Sequence, residues 1–382
     1  MKEQKFMERA LQLALKAKGN TSPNPLVGAV LVKEGTIIGE GYHRKAGTAH
    51  AEVVALQEAG QEAVDATLYV TLEPCSHFGR TAPCTDAIIA AGVKSVSMAM
   101  LDPNPQVAGK GLDKLKQQGI DVHVGLMAQE AARINQPFLT WITAKRPQVL
   151  AKWAMTLDGK IATVQGDSKW ISSPASRQQV HQWRQERDAI LVGIGTVLAD
   201  DPELTTRIAD FDLTFPRQEQ KHPLRVILDS QARTPLQARL LHGPGKTLIA
   251  VTDKAPVERI KALEEKGAEV WICPFDEAGK IDVAYLLQRL GRAGITSLLV
   301  EGGAAVHGAF FQAKMVDQLA VFIAPKIVGG AQAPSPVGGM GLEQMAQAWQ
   351  LSQWQGRRSG EDWLLEGTLQ EVGPCLPESL KS

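Results

Sequence analysis

The sequence lacks an excess of charge of either sign and is poor in aromatic residues. Lysine plus arginine and aspartate plus glutamate each number 41 in 382 residues, so the formal net charge is zero. Proteins that bind nucleic acid usually carry a basic excess that neutralises phosphates. Aromatic side chains, which stack on bases, make up only 5% of this chain. Nucleic acid is therefore not the expected partner.

Long apolar runs are also missing, and cysteine is scarce. No stretch approaches the roughly 18 uninterrupted apolar residues that a membrane-spanning helix needs, so no membrane partner is expected. The N-terminal pattern is an amphipathic helix interrupted by Glu8, Arg9 and Lys16, unlike a signal peptide. Four cysteines in a chain of this length do not form a secreted disulfide framework. We therefore expect a cytoplasmic protein, with no readable role for Cys273 beyond a core thiol.

Helical and extended patterns alternate along the chain and predict two α/β domains. The first covers residues 1–145 and closes with a helix over residues 129–145. The second covers residues 146–370 and lies within the usual range of domain sizes. Residues 371–382, which include Cys375, are predicted to be a C-terminal tail without a readable role.

The chemistry of the first domain is indicated by three short segments, His50-Ala51-Glu52, Pro74-Cys75 and Pro83-Cys84. Together they form the signature of zinc-dependent deaminases. One imidazole and two thiolates leave the fourth position of a tetrahedral zinc to water, as catalytic sites do. Zinc lowers the pKa of such a water towards neutrality. Glu52 is not a ligand and can move the water proton to the departing amine.

Local structure around these residues can also be predicted. Cys84 begins an apparent helix, whose partial positive charge favours the thiolate form. Thr48 is a candidate N-cap for the helix predicted over residues 50–59. His50 and Glu52 diverge on a regular helix, so they converge only if the zinc lies off its first turn. The alternative is a structural zinc knot, but a structural site does not require a carboxylate such as Glu52 that is not a ligand.

The second domain contains two glycine patterns that follow predicted strands. Gly193-Ile194-Gly195 lacks the third glycine of a dinucleotide-binding fingerprint. Glu301-Gly302-Gly303 ends a strand and starts a helix, which can bind an anion through backbone N–H groups. Close packing explains these glycines equally well. The residues alone therefore indicate an α/β domain in which nucleotide binding is possible.

Segments in both halves of the chain carry a resemblance to a known family. They are PNPLVGAVLV, GYHRKAGTAHAE, TLEPCSHFGRTAPC, AMTLDGKIA, DSKWISSPASR, VLADDPELTTR and LLVEGGAAVHGAFF. They resemble the bifunctional riboflavin-biosynthesis deaminase–reductase family. The eight residues between Cys75 and Cys84 depart from the common Pro-Cys-x-x-Cys spacing but match this family's own form. The resemblance implies a cytidine-deaminase-like three-layer domain followed by a dihydrofolate-reductase-like domain.

The same resemblance implies two consecutive reactions on a small pyrimidine ribosyl phosphate. The first domain would remove the 2-amino group of 2,5-diamino-6-ribosylamino-4(3H)-pyrimidinone 5′-phosphate by hydrolysis. The second would reduce the ribose with NADPH, giving 5-amino-6-ribitylamino-uracil 5′-phosphate. The implied cofactors are one Zn²⁺ per chain and NADPH. A homo-oligomer, dimer or tetramer, is expected.

Residue roles in the first domain carry over by motif position. His50, Cys75 and Cys84 would be zinc ligands, and Glu52 the proton shuttle. The implied substrate contacts are Asn24, His43, His77 and Arg80. Alternative interpretations remain for three of these contacts. The alternative for Asn24, which lies between two prolines, is a turn residue. The alternative for His77 is a spare metal ligand. The alternative for Arg80, as opposed to a phosphate partner, is a solvated arginine.

The resemblance also implies two sets of residues in the second domain. NADPH would be held by Ala154, Trp170, Thr196, Asp200, Ser230 and Gly303. Substrate would be held by Lys152, Ser168, Arg184, Leu204, Arg207 and Glu301. Two of these residues have alternative interpretations. Trp170 is an ordinary core residue in the alternative to NADPH binding, and Arg184 lies on a solvated helix face in the alternative to substrate binding.

Two other functions fit parts of the sequence. A nucleic-acid-editing deaminase is opposed by the neutral charge and the scarcity of aromatic residues. A non-catalytic binding protein with a structural zinc is opposed by Glu52.

Overall fold

The computed structural model describes residues 3–78, 82–105, 107–207 and 220–380. The chain divides into two compact units, Met1–Lys145 together with Val372–Ser382, and Arg146–Glu371. The C-terminal segment, which the sequence suggests is a separate tail, thus belongs to the first unit. Across the described ranges, the helices are all too short or too polar to cross a bilayer.

The first unit is built on a five-stranded sheet with the order β2-β1-β3-β4-β5. Its elements are α1 (Gln4–Leu15), β1 (Gly28–Lys33), β2 (Thr36–Tyr42), α2 (Ala51–Ala59), β3 (Thr67–Val70), α3 (Cys84–Ala90), β4 (Ser95–Met98), α4 (Lys110–Gln117), β5 (Asp121–Val124), α5 (Ala128–Ile134) and α6 (Gln136–Ala144). Strand β1 is antiparallel to β2 and β3, whereas β3, β4 and β5 run parallel. The ends of β3 and β4 therefore meet at one edge of the sheet.

Both faces of this sheet are covered. Alternate strand residues point to opposite faces, so Leu31 and Leu68 pack with α2, α3 and α4, while Val30 and Tyr69 pack with α1, α5 and α6. The arrangement is helix, sheet, helix. The prediction of one closing helix is wrong, because Asn135 separates α5 from α6. Its side-chain amide accepts from the Leu26 N–H at 2.8 Å and donates to the Leu26 carbonyl at 3.0 Å.

The second unit has a nine-stranded sheet with the order β10-β9-β8-β7-β11-β6-β12-β14-β13. Its elements are β6 (Gln148–Thr156), α7 (Pro174–Glu186), β7 (Ala189–Gly193), α8 (Ile194–Asp200), β8 (Leu224–Leu228), α9 (Arg239–His242), β9 (Thr247–Val251), α10 (Val257–Glu265), β10 (Glu269–Ile272), α11 (Val283–Arg292), β11 (Ser297–Val300), α12 (Ala304–Gln312), β12 (Gln318–Ala324), β13 (Gln353–Ser359) and β14 (Asp362–Thr368). Strands β6 to β12 are parallel neighbours, and only β14 and β13 are antiparallel. The carboxyl ends of the parallel strands share one edge, where ligands of open α/β sheets bind.

Sequence patterns missed three elements of the second unit, α8, α9 and β13. Strand β13 pairs with β14 at the edge of the sheet and is exposed over six of its seven residues. Its residues do not alternate between apolar and polar, because neither face of it is buried. The thiol of Cys273 is buried in the core of this unit, and burial raises its pKa, as expected for an inert thiol.

Candidate active sites

Three elements of the first unit bring potential metal ligands together. Cys75 follows the end of β3, Cys84 is the first residue of α3, and His50 is the N-cap of α2 with an extended backbone. Their nitrogen and sulfur atoms all lie within 4.8 Å of one another. Glu52, in the first turn of α2, is 3% exposed and lines the same cavity as His50 and Cys75. The N-cap position of His50 allows the convergence that a regular helix forbids.

The geometry of these donors fits a zinc ion. The His50 Nδ1 atom lies 3.1 Å from Cys84 Sγ and 3.6 Å from Cys75 Sγ. Tetrahedral zinc with ordinary bond lengths separates nitrogen and sulfur ligands by about 3.5 Å. The Cys84 backbone N–H also donates to Cys75 Sγ at 3.3 Å. Within the described residues this group has three members, which matches a catalytic zinc site rather than a structural one.

Burial and hydrogen bonding shape the ionisation of this group. Burial raises the pKa of Glu52 to about 7, in the range where a carboxyl group both accepts and returns a proton. The hydrogen bond from the Cys84 thiol lowers the pKa of Cys75, which favours the thiolate that a metal requires. Thr48 is not the N-cap of α2. Its hydroxyl instead donates to the Lys45 carbonyl at 2.7 Å.

A cavity of about 490 Å³ opens over the metal donors. Asn24, His43 and His77 line it, as predicted, whereas Arg80 lies outside the described residues. Burial lowers the pKa of His43, so its ring is neutral, with Nδ1–H donating to the Ala49 carbonyl at 3.2 Å. Its Nε2 then accepts from Asn24 Nδ2 at 3.1 Å. This arrangement leaves the Asn24 carbonyl oxygen as an acceptor for a ligand in the cavity.

Sequence reasoning missed two other polar residues in this cavity wall, Asp102 and Asn104. The Asp102 carboxylate accepts from the Asn104 N–H at 2.8 Å, and burial raises the pKa of Asp102 to about 6. Only part of the signal is visible in the sequence, namely the polar and proline-rich segment Asp102-Pro103-Asn104-Pro105 shortly after β4. That this segment lies at the sheet edge where Cys75 follows β3 is decided by the pairing of the two strands.

Glu73, which precedes Pro74-Cys75, was also missed. It is 4% exposed, and its carboxylate accepts four backbone N–H bonds of 2.8 to 3.1 Å. The donors are Asp102, Gly109, Gly111 and Leu112. Glu73 thus fastens the end of β3 to the segment after β4 and to the start of α4, which fixes the backbone that carries Cys75.

The second unit has a cavity of about 800 Å³ at the carboxyl ends of β6, β7, β8 and β11. Eight predicted residues line it, namely Lys152, Ala154, Ser168, Thr196, Asp200, Ser230, Glu301 and Gly303. They come from four neighbouring strand ends and the segments that follow. Neighbouring strands lie about 4.8 Å apart, so only an elongated ligand contacts the whole wall.

The four glycines at the ends of β7 and β11 have two different functions. A Cβ on Gly193 would lie 2.7 Å from a Val306 methyl group, and one on Gly302 would lie 3.1 Å from the Gly193 nitrogen. These two glycines permit close packing. By contrast, Gly195 has nothing within 4 Å, and Gly303 has only the Thr196 hydroxyl at 3.6 Å. Gly195 and Gly303 line the cavity at the starts of α8 and α12, a cradle of bare backbone that fits a dinucleotide phosphate.

A buried charge network borders this cavity. Arg184 binds Glu301 in a bidentate pair at 2.7 and 2.9 Å, and Lys152 Nζ lies 3.6 Å from the same carboxylate. Burial alone would raise the pKa of Glu301, but the charges of Arg184 and Lys152 outweigh burial and hold it at about 2. Burial also lowers the pKa of Lys152. Both predicted substrate residues Arg184 and Glu301 are therefore engaged with each other.

Four predicted residues, all in the described part of the chain, lie outside this cavity wall. The Leu204 side chain is 3% exposed in the core, so only its backbone is accessible to a ligand. The indole of Trp170 is 63% exposed, with the Arg177 guanidinium 4.5 Å from the ring centroid. Arg207 binds Glu203 at 3.0 Å, and Arg184 contacts the cavity through Glu301.

Comparison with known proteins agrees with both sites. The family model of the cytidine and deoxycytidylate deaminase zinc-binding region matches residues 1–100, and that of the RibD C-terminal domain matches residues 147–365. The riboflavin biosynthesis protein RibD of Aquifex aeolicus is 45% identical over 363 residues, covering 95% of this chain and 97% of that protein. The chain belongs to the RibD family. The predicted fold class of both domains is thereby confirmed.

Solved structures of RibD proteins extend the match to the whole fold. RibD of Acinetobacter baumannii is similar with a TM-score of 0.85 and 37% identity, covering 97% of this chain and 99% of that one. A Thermotoga maritima protein described as a diaminohydroxyphosphoribosylaminopyrimidine deaminase and 5-amino-6-(5-phosphoribosylamino)uracil reductase has a TM-score of 0.81 and 36% identity, covering 98% and 99%. As a member of the RibD family, the chain is a bifunctional deaminase and reductase of riboflavin biosynthesis that uses zinc and NADPH.

Proposed function

We propose that the first unit deaminates 2,5-diamino-6-ribosylamino-4(3H)-pyrimidinone 5′-phosphate and that the second unit reduces the product. The observation that carries the deaminase assignment is the cluster of His50, Cys75 and Cys84 beside Glu52 at one cavity wall. The two activities by which the Thermotoga maritima relative is described support this substrate and this order of reactions.

In the deaminase site, His50, Cys75 and Cys84 would hold the zinc ion. The chemistry that zinc supplies at such a site is the activation of a water molecule as nucleophile. Glu52 accepts a proton from that water and delivers it to the departing amino group, so a C–O bond forms as the C–N bond breaks and ammonia leaves. The Asn24 carbonyl oxygen, oriented by His43, accepts a hydrogen bond from the substrate. Asp102 and Asn104, which line the same cavity, supply further polar contacts to the ring and its substituents.

In the reductase site, Ala154, Thr196, Asp200, Ser230 and Gly303 would line the NADPH position. The cofactor supplies the hydride for C1′ of the ribose. Lys152 is the cation beside the ribose, and its position is fixed by Glu301. The Arg184 pair keeps Glu301 ionised and in place, so that Lys152 retains a counter-charge within the cavity wall.

The two reactions separate in one experiment with the purified enzyme and the pyrimidinone phosphate. Without NADPH, we expect ammonia release and a product about 1 Da heavier, because an amino group is replaced by a carbonyl oxygen. With NADPH, we expect a further gain of about 2 Da from the added hydride and proton. Mass analysis of the products checks both steps. A reduced product that retains the amino group would contradict the proposed order.

The loop after β8 provides an expectation about cofactor choice. Asp229 Oδ2 accepts from both the N–H and the hydroxyl of Thr234 at 2.7 Å, and the Thr252 hydroxyl donates to the Ser230 carbonyl at 2.8 Å. The loop is thus fixed from within and from β9. It presents Ser230 and the exposed Arg233 to the cavity. An arginine so placed suits the 2′-phosphate that distinguishes NADPH from NADH.

We expect Arg233→Ala to weaken NADPH binding by about tenfold to a hundredfold, since a hydrogen bond to a charged group contributes about 1.5–3 kcal/mol. NADH binding should hardly change. Titration of tryptophan fluorescence measures both affinities, because Trp153 lines the cavity. Arg292→Ala is the matched control, an exposed arginine at the end of α11. Equal losses for NADPH and NADH would remove Arg233 from 2′-phosphate recognition.

Two sequence-based expectations extend this proposal. A cytoplasmic location follows from the sparse, unpaired use of cysteine, and a dimer or tetramer follows from the family resemblance. Both stay predictions. Size-exclusion chromatography with light scattering measures the oligomeric state directly.

A further inference from the structure

The C-terminal segment, residues 372–380, attaches to two elements of the first unit that line the deaminase cavity. We propose that this segment is a positioning element for substrate binding in the deaminase site. The proposal rests on the proposed function of that site. It assigns a role in deamination to a part of the chain that follows the last strand of the reductase unit.

The first attachment is at the end of β4. Strands β4 and β5 are paired by hydrogen bonds, and the last of these bonds runs from the Gly125 N–H to the Met98 carbonyl at 3.1 Å. Beyond that point, the Leu101 N–H donates to the Cys375 carbonyl at 2.8 Å. The C-terminal segment is therefore hydrogen-bonded to the backbone that continues from β4, just beyond the reach of β5. Asp102, the next residue, lines the cavity.

The opposite side of the same backbone is held by Glu73. Its N–H donates to the Met100 carbonyl at 3.0 Å, and its carboxylate accepts from the Asp102 N–H at 3.1 Å. Residues 100–102 are thus fixed between two segments, one leading to the metal donor Cys75 and the other being the C-terminal segment. Removal of the C-terminal segment would leave Glu73 to hold this backbone by hydrogen bonds from one side.

The second attachment is at the start of α6. The Gln136 side chain is buried, and it donates to the Val372 carbonyl at 2.7 Å and accepts from the Val372 N–H at 2.9 Å. The Gln136 side-chain amide thus satisfies both backbone polar groups of Val372, as a neighbouring strand would. Val372 also packs against the core on that face of the sheet. Three residues of α6 contribute to the apolar lining of the cavity, namely Phe138, Trp141 and Ile142.

These contacts predict which kinetic constant the segment controls. Without it, the Leu101 N–H and the Gln136 amide lose partners, and a buried polar group without a partner destabilises its surroundings. The affected walls carry Asp102, Asn104 and α6, which contact substrate. The metal donors and Glu52 come from α2, the end of β3 and α3. The segment should therefore affect KM for deamination much more than kcat.

The test compares a variant ending at Glu371 with the full chain carrying Gln136→Leu. This substitution keeps a similar volume and removes both bonds to Val372, together with the bond from Gln136 Nε2 to the Ala132 carbonyl. Gln61→Leu, at an exposed glutamine of the same unit, is the matched control. We expect the truncation to raise KM for deamination about tenfold, equivalent to about 1.4 kcal/mol, with kcat and zinc content nearly unchanged. Gln136→Leu should change KM in the same direction. Hydrogen exchange should increase in peptides covering residues 101–105 and 136–142, while the reductase constants stay the same.

Unchanged KM and unchanged exchange in both variants would overturn the proposal. A parallel loss of kcat and zinc would also overturn it, since the segment would then stabilise the whole unit rather than position the cavity walls. Glu52→Gln, measured alongside, separates this outcome from failure of the proposed site. If Glu52→Gln retains deamination, the site assignment is wrong whatever the truncation does.

Discussion

Glu52→Gln is expected to slow ammonia release by about 10³-fold while the protein keeps its zinc. Glutamine has the same shape as glutamate but cannot carry the proton from water to the departing amine. General acid–base catalysis contributes about 10²–10⁴-fold to a rate, so kcat should fall by about 10³-fold. Because Glu52 lies at the cavity wall and is 3% exposed, no solvent buffer readily replaces it. Ammonia release under saturating substrate measures the loss.

Two controls make the Glu52 result interpretable. Cys75→Ser should lower the zinc content, because a serine hydroxyl is a much poorer zinc ligand than a thiolate. The reductase activity of both variants on deaminated substrate should equal that of the unaltered chain, since the NADPH cavity lies in the other unit. Deamination by Glu52→Gln within tenfold of the original rate would refute the shuttle role.

Glu301→Gln is expected to destabilise the second unit strongly. Glu301 is the shared counter-charge of Arg184 and Lys152, and the side chains of this network are 9%, 12% and 15% exposed. Removing one partner of a buried pair leaves an uncompensated charge and typically costs about 3–5 kcal/mol. The change in the free energy of unfolding can be measured by urea titration. Glu366→Gln is the control, because its pair with Arg357 is more exposed, at 29% and 46%, and surface pairs contribute at most about 1 kcal/mol.

The same pair of proteins gives a pH signature. The folded-state pKa of Glu301 is lowered from 4.5 to about 2, so its contribution to stability is complete above about pH 4.5. That contribution is lost as the pH falls through 2, and amounts to about 3 kcal/mol in total. The stability difference between the unaltered chain and Glu301→Gln should therefore shrink on acidification within this window. A difference that stays constant would show that Glu301 is not ionised against Arg184 and Lys152.

Much of the deaminase site could be predicted because its determinants are local. His50 and Glu52 are two residues apart, and the two candidate ligand cysteines, Cys75 and Cys84, each directly follow a proline. Such short spacings, together with the strand that precedes Cys75, are enough to indicate a zinc site. Asp102 and Asn104 were missed for the opposite reason. Their role depends on β4 lying beside β3, which no short segment of the sequence specifies.

The second site shows where local patterns are insufficient. Gly302 and Gly303 are adjacent and identical in sequence, yet one packs against the Gly193 nitrogen and the other faces the open cavity. Arg184 and Glu301 were both predicted as substrate contacts, but they pair with each other across 117 positions. Helix periodicity places Arg184 on a helix and cannot say which carboxylate lies opposite.

By itself, the sequence determined the α/β class, the alternation of helices and strands, the three candidate metal donors and the family. These features follow from hydrophobic periodicity, turn residues and short motifs, all of which act within a few residues of the chain. Only the tertiary structure decided the break at Asn135, the burial of Glu73 among four backbone N–H groups, and the return of Val372 to the first unit. Each of these depends on hydrogen bonds between segments distant in the chain. Such bonds form because burial requires a partner for every polar group, and the fold alone decides which partner is near.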